Sequence, residues 1–290
     1  MTSRSSSTIA SVSPALPDAS LSDTELAIAL AEGAGKVLLT LRDGALAHDA
    51  EEFDGKAFKD AGDAASQEWL ASALSHARPG DAVLSEEAKD SAARLTADRV
   101  WIIDPLDGTR EFSERNDAGI WRDDFAVHIA LWESGAGLTV GAVGLPARGE
   151  VKATPAPACA TARNDAEAPL KLAASRTRPP AFVADLAEQG KVELVPMGSA
   201  GVKVMAVLDG TVDAYVHGGG QYEWDSAAPV AVAQAAGLHC TRLDGSPLEY
   251  NREDPWLPDL IVCHPTDVAR VSAMLASVGA NQKPLKEGDR

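Results

Sequence analysis

The 290 residues are 45% hydrophobic, a globular composition with enough apolar surface for one large domain or two of ordinary size. Lys and Arg number 26 against 43 Asp and Glu, and the net charge of −17 excludes a nucleic-acid polymer or an anionic membrane as the main partner. Cys159, Cys240 and Cys263 have no CxxC spacing and cannot all pair, which excludes a disulfide framework or a zinc site and leaves them as small buried residues.

Residues 1–20 are rich in Ser, Thr, Ala and Pro without the apolar core of a signal peptide, and read as a disordered tail of a cytoplasmic protein. No apolar run approaches the roughly 20 residues of a membrane span. Ser22 followed three residues later by Glu25 predicts a capping box opening an amphipathic helix through Leu26, Ile28, Leu30, Val37, Leu38 and Leu41. Leu70 and Leu74 predict a second helix over 63–76, ended by Pro79-Gly80. A short strand over 81–84 then leads to Glu86 and Glu87. Val100, Trp101, Ile102 and Ile103 form a strand buried on both faces. The polar stretch 112–124 reads as a loop over the site, and 125–132 and 139–145 read as strands.

Residues 154–169 follow neither apolar period and mark a linker between an amino-terminal α+β subdomain, 21–153, and a carboxyl-terminal α/β subdomain, 170–280. In the latter, strands over 171–174, 192–195, 212–216, 238–241 and 260–263 alternate with helices near 180–189, 201–208, 226–236 and 266–278. That alternation predicts an α/β layer. Residues 281–290 read as a second disordered tail.

The chemistry centres on Asp104-Pro105-Leu106-Asp107-Gly108. Pro105 fixes its φ and Gly108 opens conformations closed to other residues, so the chain is expected to turn sharply at the strand end and bring Asp104 and Asp107 together. Two adjacent carboxylates repel unless a cation lies between them, and hard oxygen ligands suit magnesium or manganese. Asp-Pro and Asp-Gly are also ordinary turn pairs. Asp63 also reads as a helix N-cap, and by sequence alone an N-cap explains Asp225 as well. Gly198-Ser199-Ala200-Gly201 with Lys203 reads either as a cradle for phosphate or nucleoside, or as a Gly-rich helix start with Lys on the solvated face.

The longer string Asp104-Pro105-Leu106-Asp107-Gly108-Thr109-Arg110-Glu111-Phe112 resembles the signature of the magnesium-dependent, lithium-sensitive phosphatases of the inositol monophosphatase superfamily. Ser85-Glu86-Glu87 upstream and Trp224-Asp225-Ser226-Ala227-Ala228-Pro229 downstream resemble that family's other two motifs, in the same order. The likeness runs from Leu26 to Cys263 and is greatest to the CysQ-type branch that hydrolyses 3'-phosphoadenosine 5'-phosphate.

This resemblance implies an α/β (α+β) fold, a layered αβαβα sandwich with the site between its two parts. It implies two or three magnesium ions, with manganese as a substitute, held by Glu86, Asp104, the Leu106 carbonyl, Asp107 and Asp225. Thr109 and Asp63 would be the water-activating pair, with Glu86 beside them, and the Gly108 and Thr109 amides would meet phosphate oxygens. Arg110, Ser175, Arg176, Ser199, Lys203 and Asp225 would face the substrate, with Arg178 in the stretch Ser175-Arg176-Thr177-Arg178. The reaction implied releases AMP and phosphate from a by-product of sulfate activation, in a homodimer. Inositol-1-phosphate and fructose-1,6-bisphosphate remain alternative substrates, and a silent relative that binds nucleotide or polyphosphate is the alternative of another class. One departure stands out. The nucleotidase branch carries Lys-x-Asp-x-Ser-Pro-Val-Thr-x-Ala-Asp where this chain has 53–63, and Asp60 in place of Thr bears on metal affinity and substrate choice.

Overall fold

In the computed structural model, residues 13–46, 54–116, 118–161, 168–177 and 179–280 are described. Residues 1–12 of the predicted 1–20 tail, the predicted tail at 281–290, the middle of the predicted linker, Phe53 and Arg178 lie outside these residues. Residues 13–20 are described and lie against the second helix, the Pro14 carbonyl accepting from Trp69 Nε1 at 2.9 Å and the Ala19 carbonyl from Arg78 Nη1 at 3.1 Å.

Helix α1 (Asp23–Leu46) opens on the expected reciprocal cap: the Ser22 amide donates to Glu25 Oε2 at 2.9 Å and the Glu25 amide to Ser22 Oγ at 3.3 Å. Helix α2 (Gly55–Ala77) begins earlier than the apolar spacing indicates, because Asp54 accepts from the Lys56 and Ala57 amides as its N-cap. Its first turns are polar, with a Lys56–Asp60 pair at 2.7 Å, and so carry no apolar period. Asp63 therefore lies inside a helix and is not an N-cap.

Strands β1 (Ala82–Ser85), β2 (Arg99–Asp107), β3 (Ala126–Glu133), β4 (Gly137–Leu145) and β5 (Glu150–Ala153) form one sheet in chain order, parallel only between β1 and β2. Strand β5, short and polar, escaped the sequence reading. Val100 and Ile102 pack on one side of β2 with Ala228 and Val232, while Trp101 and Ile103 pack on the other with Leu30, Leu38 and Leu70. Strand β2 does not stop at Ile103. It runs on to Asp107, with a register break between Asp104, opposite His128, and Asp107, opposite Ala126. A bulge inside the strand, where Pro105 can donate no ladder bond, replaces the predicted turn. The one-turn helix α3 (Thr109–Ser113) follows directly.

The second sheet has the order β7-β6-β8-β10-β9, from β6 (Leu170–Ser175), β7 (Val192–Met197), β8 (Ala214–Tyr222), β9 (His239–Thr241) and β10 (Trp256–Cys263). Helices α5 (Ala200–Leu208) and α6 (Glu223–Ala235) lie between the two sheets. Val202, Val204, Val230 and Val232 share one core with Val100 and Val143 of the first sheet and with Leu260 and Val262 of the second. A Cβ on Gly141 of β4 would stand 2.7 Å from Ala231 Cβ, which shows how closely α6 approaches. Helices α4 (Ala181–Glu188) and α7 (Val268–Ser277) cover the far face of the second sheet through Val183, Leu186, Val271 and Leu275. The layers are α1/α2, sheet, α5/α6, sheet, α4/α7, an αβαβα sandwich.

Candidate active site

Asp104 and Asp107 from the β2 bulge meet Asp225 from the first turn of α6, and their nearest carboxylate oxygens lie within 4.8 Å of one another. Asp225 is not the N-cap, which is Tyr222; it stands three residues later and accepts from the Tyr222 amide at 2.6 Å. Asp104, fully buried, accepts from the Leu106 amide at 3.0 Å. Asp107 accepts from Ser199 Oγ at 2.5 Å and the Gly201 amide at 3.0 Å, and His128 Nε2 lies 3.3 Å away.

Burial, then the charges of Glu86, Asp107 and Asp225, hold the Asp104 carboxyl well above the usual range. Burial and Asp107 push Asp225 up to about 7. Glu86 keeps an exposed face, yet desolvation of its carboxyl beside Asp225 and Asp107 pushes it up to about 8. Burial also pushes His128 down, and it makes the only ion-pair contact to the three aspartates among the described residues. Among the described residues no lysine or arginine is in ion-pair contact with the three aspartates, and Lys203 acts on Asp107 and Asp225 only from a greater distance. A divalent cation taking hard oxygen ligands fits this donor set, and the triad can hold one.

Thr109 begins α3 after Gly108, whose φ of +88° suits glycine, and its hydroxyl donates to the Leu106 carbonyl at 3.2 Å. Asp63 reaches the same hydroxyl from α2. Burial, then Glu87 and Asp60, push Asp63 up to about 7, against the hydrogen bond to Thr109. The adjacent Gly62 lets α2 close on α3, since a Cβ there would stand 2.7 Å from the Phe112 ring.

Two clefts flank the acids. One, about 470 Å³, is lined by Glu86, Asp107, Tyr215, Trp224 and Asp225; the other, about 580 Å³, by Gly108, Thr109, Arg110, Arg176 and Gly198. Ser175, Ser199 and Lys203 line both. The structure thus brings the sequence-predicted substrate residues together, but several already have partners. Arg176 pairs with Glu111 at 2.8 Å and with Glu114, and Arg110 pairs with Glu114 at 3.2 Å. The Gly198–Gly201 turn holds carboxylates: Gly198 N donates to Asp124 at 2.7 Å, while Ser199 and Gly201 hold Asp107. Lys203 is not on a solvated face. It is 7% exposed, donates to the Ser199 carbonyl at 2.9 Å and lies 5.3 Å from the Tyr215 ring centroid.

The described part of the 112–124 stretch lines neither cleft, contrary to expectation. Trp121 stacks on Phe58 of α2 at 5.8 Å and lies beside Arg42 of α1, so that part of the stretch is drawn back against those helices, while Glu114 and Asp124 reach the rim of the second cleft through Arg110, Arg176 and Gly198. Sequence reasoning missed His128, Asp124 and Arg42, and it named Glu87 in a motif without giving it a role of its own. Only Arg42 left a signal, as a cation on the apolar stripe of α1.

The profile of the inositol monophosphatase family matches residues 21–271, and this chain belongs to that family. A Mycobacterium leprae protein named 3'-phosphoadenosine 5'-phosphate phosphatase is 49% identical over 263 residues, 87% of this chain and 93% of its own. The 3'(2'),5'-bisphosphate nucleotidase CysQ of Escherichia coli O157:H7 is 32% identical over 240 residues, covering 79% and 94% of the two chains. The crystal structure of CysQ from Bacteroides thetaiotaomicron superposes with a TM-score of 0.64 at 28% identity, over 83% of this chain and 96% of that one.

Proposed function

We propose that this chain is a magnesium-dependent phosphomonoesterase that converts 3'-phosphoadenosine 5'-phosphate to AMP and phosphate. The observation that carries the reading is the Asp104–Asp107–Asp225 triad beside Thr109 and Asp63, in a chain similar along most of its length to a protein named for that substrate. Glu86, Asp104, the Leu106 carbonyl, Asp107 and Asp225 would hold two or three magnesium ions, or manganese. Bound there, the metal would neutralise phosphoryl charge and acidify the nucleophilic water.

The chain's own groups move the proton. The Thr109 hydroxyl has one proton and two acceptors in reach, the Leu106 carbonyl at 3.2 Å and the Asp63 carboxylate; turned toward Asp63, it keeps its lone pairs for the O–H of an attacking water. As Thr109 takes that proton it passes its own to Asp63, whose pKa of about 7 suits a base working near neutrality. The amides of Gly108 and Thr109 can meet phosphate oxygens. Arg110, Arg176 and Lys203 would hold the second phosphate, the two arginines by exchanging Glu111 and Glu114 for it.

A subdomain division near 154–169, a homodimer and a cytoplasmic location belong to the same proposal. The three cysteines are free, as in a reducing compartment, and no helix among the described residues is long and apolar enough to cross a membrane. The test is a panel of the bisphosphate nucleotide, AMP, inositol-1-phosphate and fructose-1,6-bisphosphate with magnesium. A charge-assisted contact is worth about 1.5–3 kcal/mol, so the nucleotide should lead by at least about tenfold in kcat/KM. Equal turnover of inositol-1-phosphate, with Arg176→Ala and Lys203→Ala leaving the ranking unchanged, overturns the substrate assignment. Phosphate release no faster than a blank without enzyme overturns catalysis.

A further inference from the structure

Leu26, Leu30, Ala34 and Leu38 follow at four-residue spacing down the buried side of α1, and the next position on that stripe is Arg42, only 4% exposed. A buried guanidinium is costly unless its N–H groups find acceptors. Here Nε donates to the Phe112 carbonyl at 2.9 Å, Nη2 to the Glu111 carbonyl at 3.0 Å and Nη1 to the Arg122 carbonyl at 2.7 Å. Its centre lies 4.3 Å from the Phe125 ring centroid, 5.0 Å from Phe112 and 5.1 Å from Trp121. Burial draws the Arg42 pKa down only to about 10, so the charge persists at neutral pH.

Two of those three carbonyls belong to the last residues of α3, and Thr109 is its first. One turn of helix cannot hold its own axis in place. A cation at its carboxyl end is favoured by the helix dipole, and a planar fork that bonds two successive carbonyls also resists rotation. The remaining anchors of α3 converge on the same chemistry. Phe112 stacks on Phe58 at 4.8 Å and touches Gly62, next to Asp63, while the Glu111 side chain holds Arg176.

We propose that Arg42 is a positioning residue for hydrolysis: its guanidinium anchors the carboxyl end of α3 and so keeps Thr109, at the other end, in register with Asp63. The inference rests on the roles given above to Thr109 and Asp63, and a double-mutant cycle separates the two.

Arg42→Lys keeps the charge but cannot bridge three carbonyls. It should lower kcat about tenfold or more, the scale of a displaced catalytic group, with KM within about twofold. Amide exchange at Phe112 and Ser113 should quicken while β2 and β3 stay protected. On a Thr109→Ala background the same change should cost less than about threefold, because the group it positions is gone. An equal loss on both backgrounds, or unchanged exchange in α3, overturns the proposal and leaves Arg42 a packing residue. Should Arg42→Lys fail to fold, Arg42→Gln, which keeps an N–H donor without the charge, carries the same cycle. Full turnover by Thr109→Ala alone shows instead that the proposed role of Thr109 has failed, before Arg42 is touched.

Discussion

Replacing Ser199 by Ala removes two hydrogen bonds with different consequences. Ser199 Oγ accepts from the Val202 amide at 3.1 Å, capping α5, and donates to Asp107 Oδ2 at 2.5 Å. Loss of the cap should cost about 1 kcal/mol of stability. Loss of the donor acts on Asp107, which keeps the Gly201 amide at 3.0 Å but is freer to turn from Asp104 and Asp225. Groups that orient a metal ligand are worth about 10–100-fold in metal affinity, so magnesium binding by Ser199→Ala should weaken by that factor. Ser199→Gly separates the two effects. The residue has φ +50°, a conformation that favours glycine, so the Gly variant should regain stability while keeping the same magnesium deficit. Calorimetry of magnesium binding, with urea unfolding in chelator, measures both quantities. Unchanged magnesium affinity with a raised KM would refute this reasoning and return Ser199 to the substrate contacts expected from its Gly-rich turn.

Asp104→Asn keeps the side-chain volume but removes a ligand charge, and should cost several orders of magnitude in turnover together with magnesium binding; calorimetry showing parental binding would exclude Asp104 as a ligand. Thr109→Ala should bind magnesium as the parent does yet turn over slowly, which stopped-flow phosphate release would detect. The folded pKa of Asp63, about 7, lies above its unfolded value of 3.8, so the folded state holds the extra proton between those values and this residue's contribution to stability falls as pH rises through them. In chelator, the melting temperature of Asp63→Asn should therefore gain on the parent from about pH 4 to about pH 7; a constant difference would show that Asp63 titrates normally. Gly33→Ala should destabilise by about 1–3 kcal/mol in urea despite better helix propensity, because its Cβ would stand 1.9 Å from the Trp69 ring, whose Nε1 is tied to the Pro14 carbonyl.

The amino-acid sequence by itself determined what depends on near neighbours. The Ser22–Glu25 cap, the doubly buried run Val100–Ile103 and the alternation of strands and helices after Leu170 are local patterns, and each is present in the fold. The string from Asp104 to Phe112 marked the chemistry because its residues act within one bulge and one helical turn. Tertiary structure decided what depends on burial and distant pairing. Asp63 looked like a helix start because the polar first turns of α2 carry no apolar period. Ser199 read as part of a Gly-rich helix start because no pattern reveals that its hydroxyl meets Asp107, 92 positions away, and Lys203 read equally as a solvated lysine because no pattern reveals its burial beneath the Ser199 carbonyl. Arg42 stood in plain view on an apolar stripe, yet its acceptors are carbonyls 69 to 80 residues downstream. Backbone carbonyls leave no trace in residue identity, so only the packing of α1 against α3 shows what that charge holds.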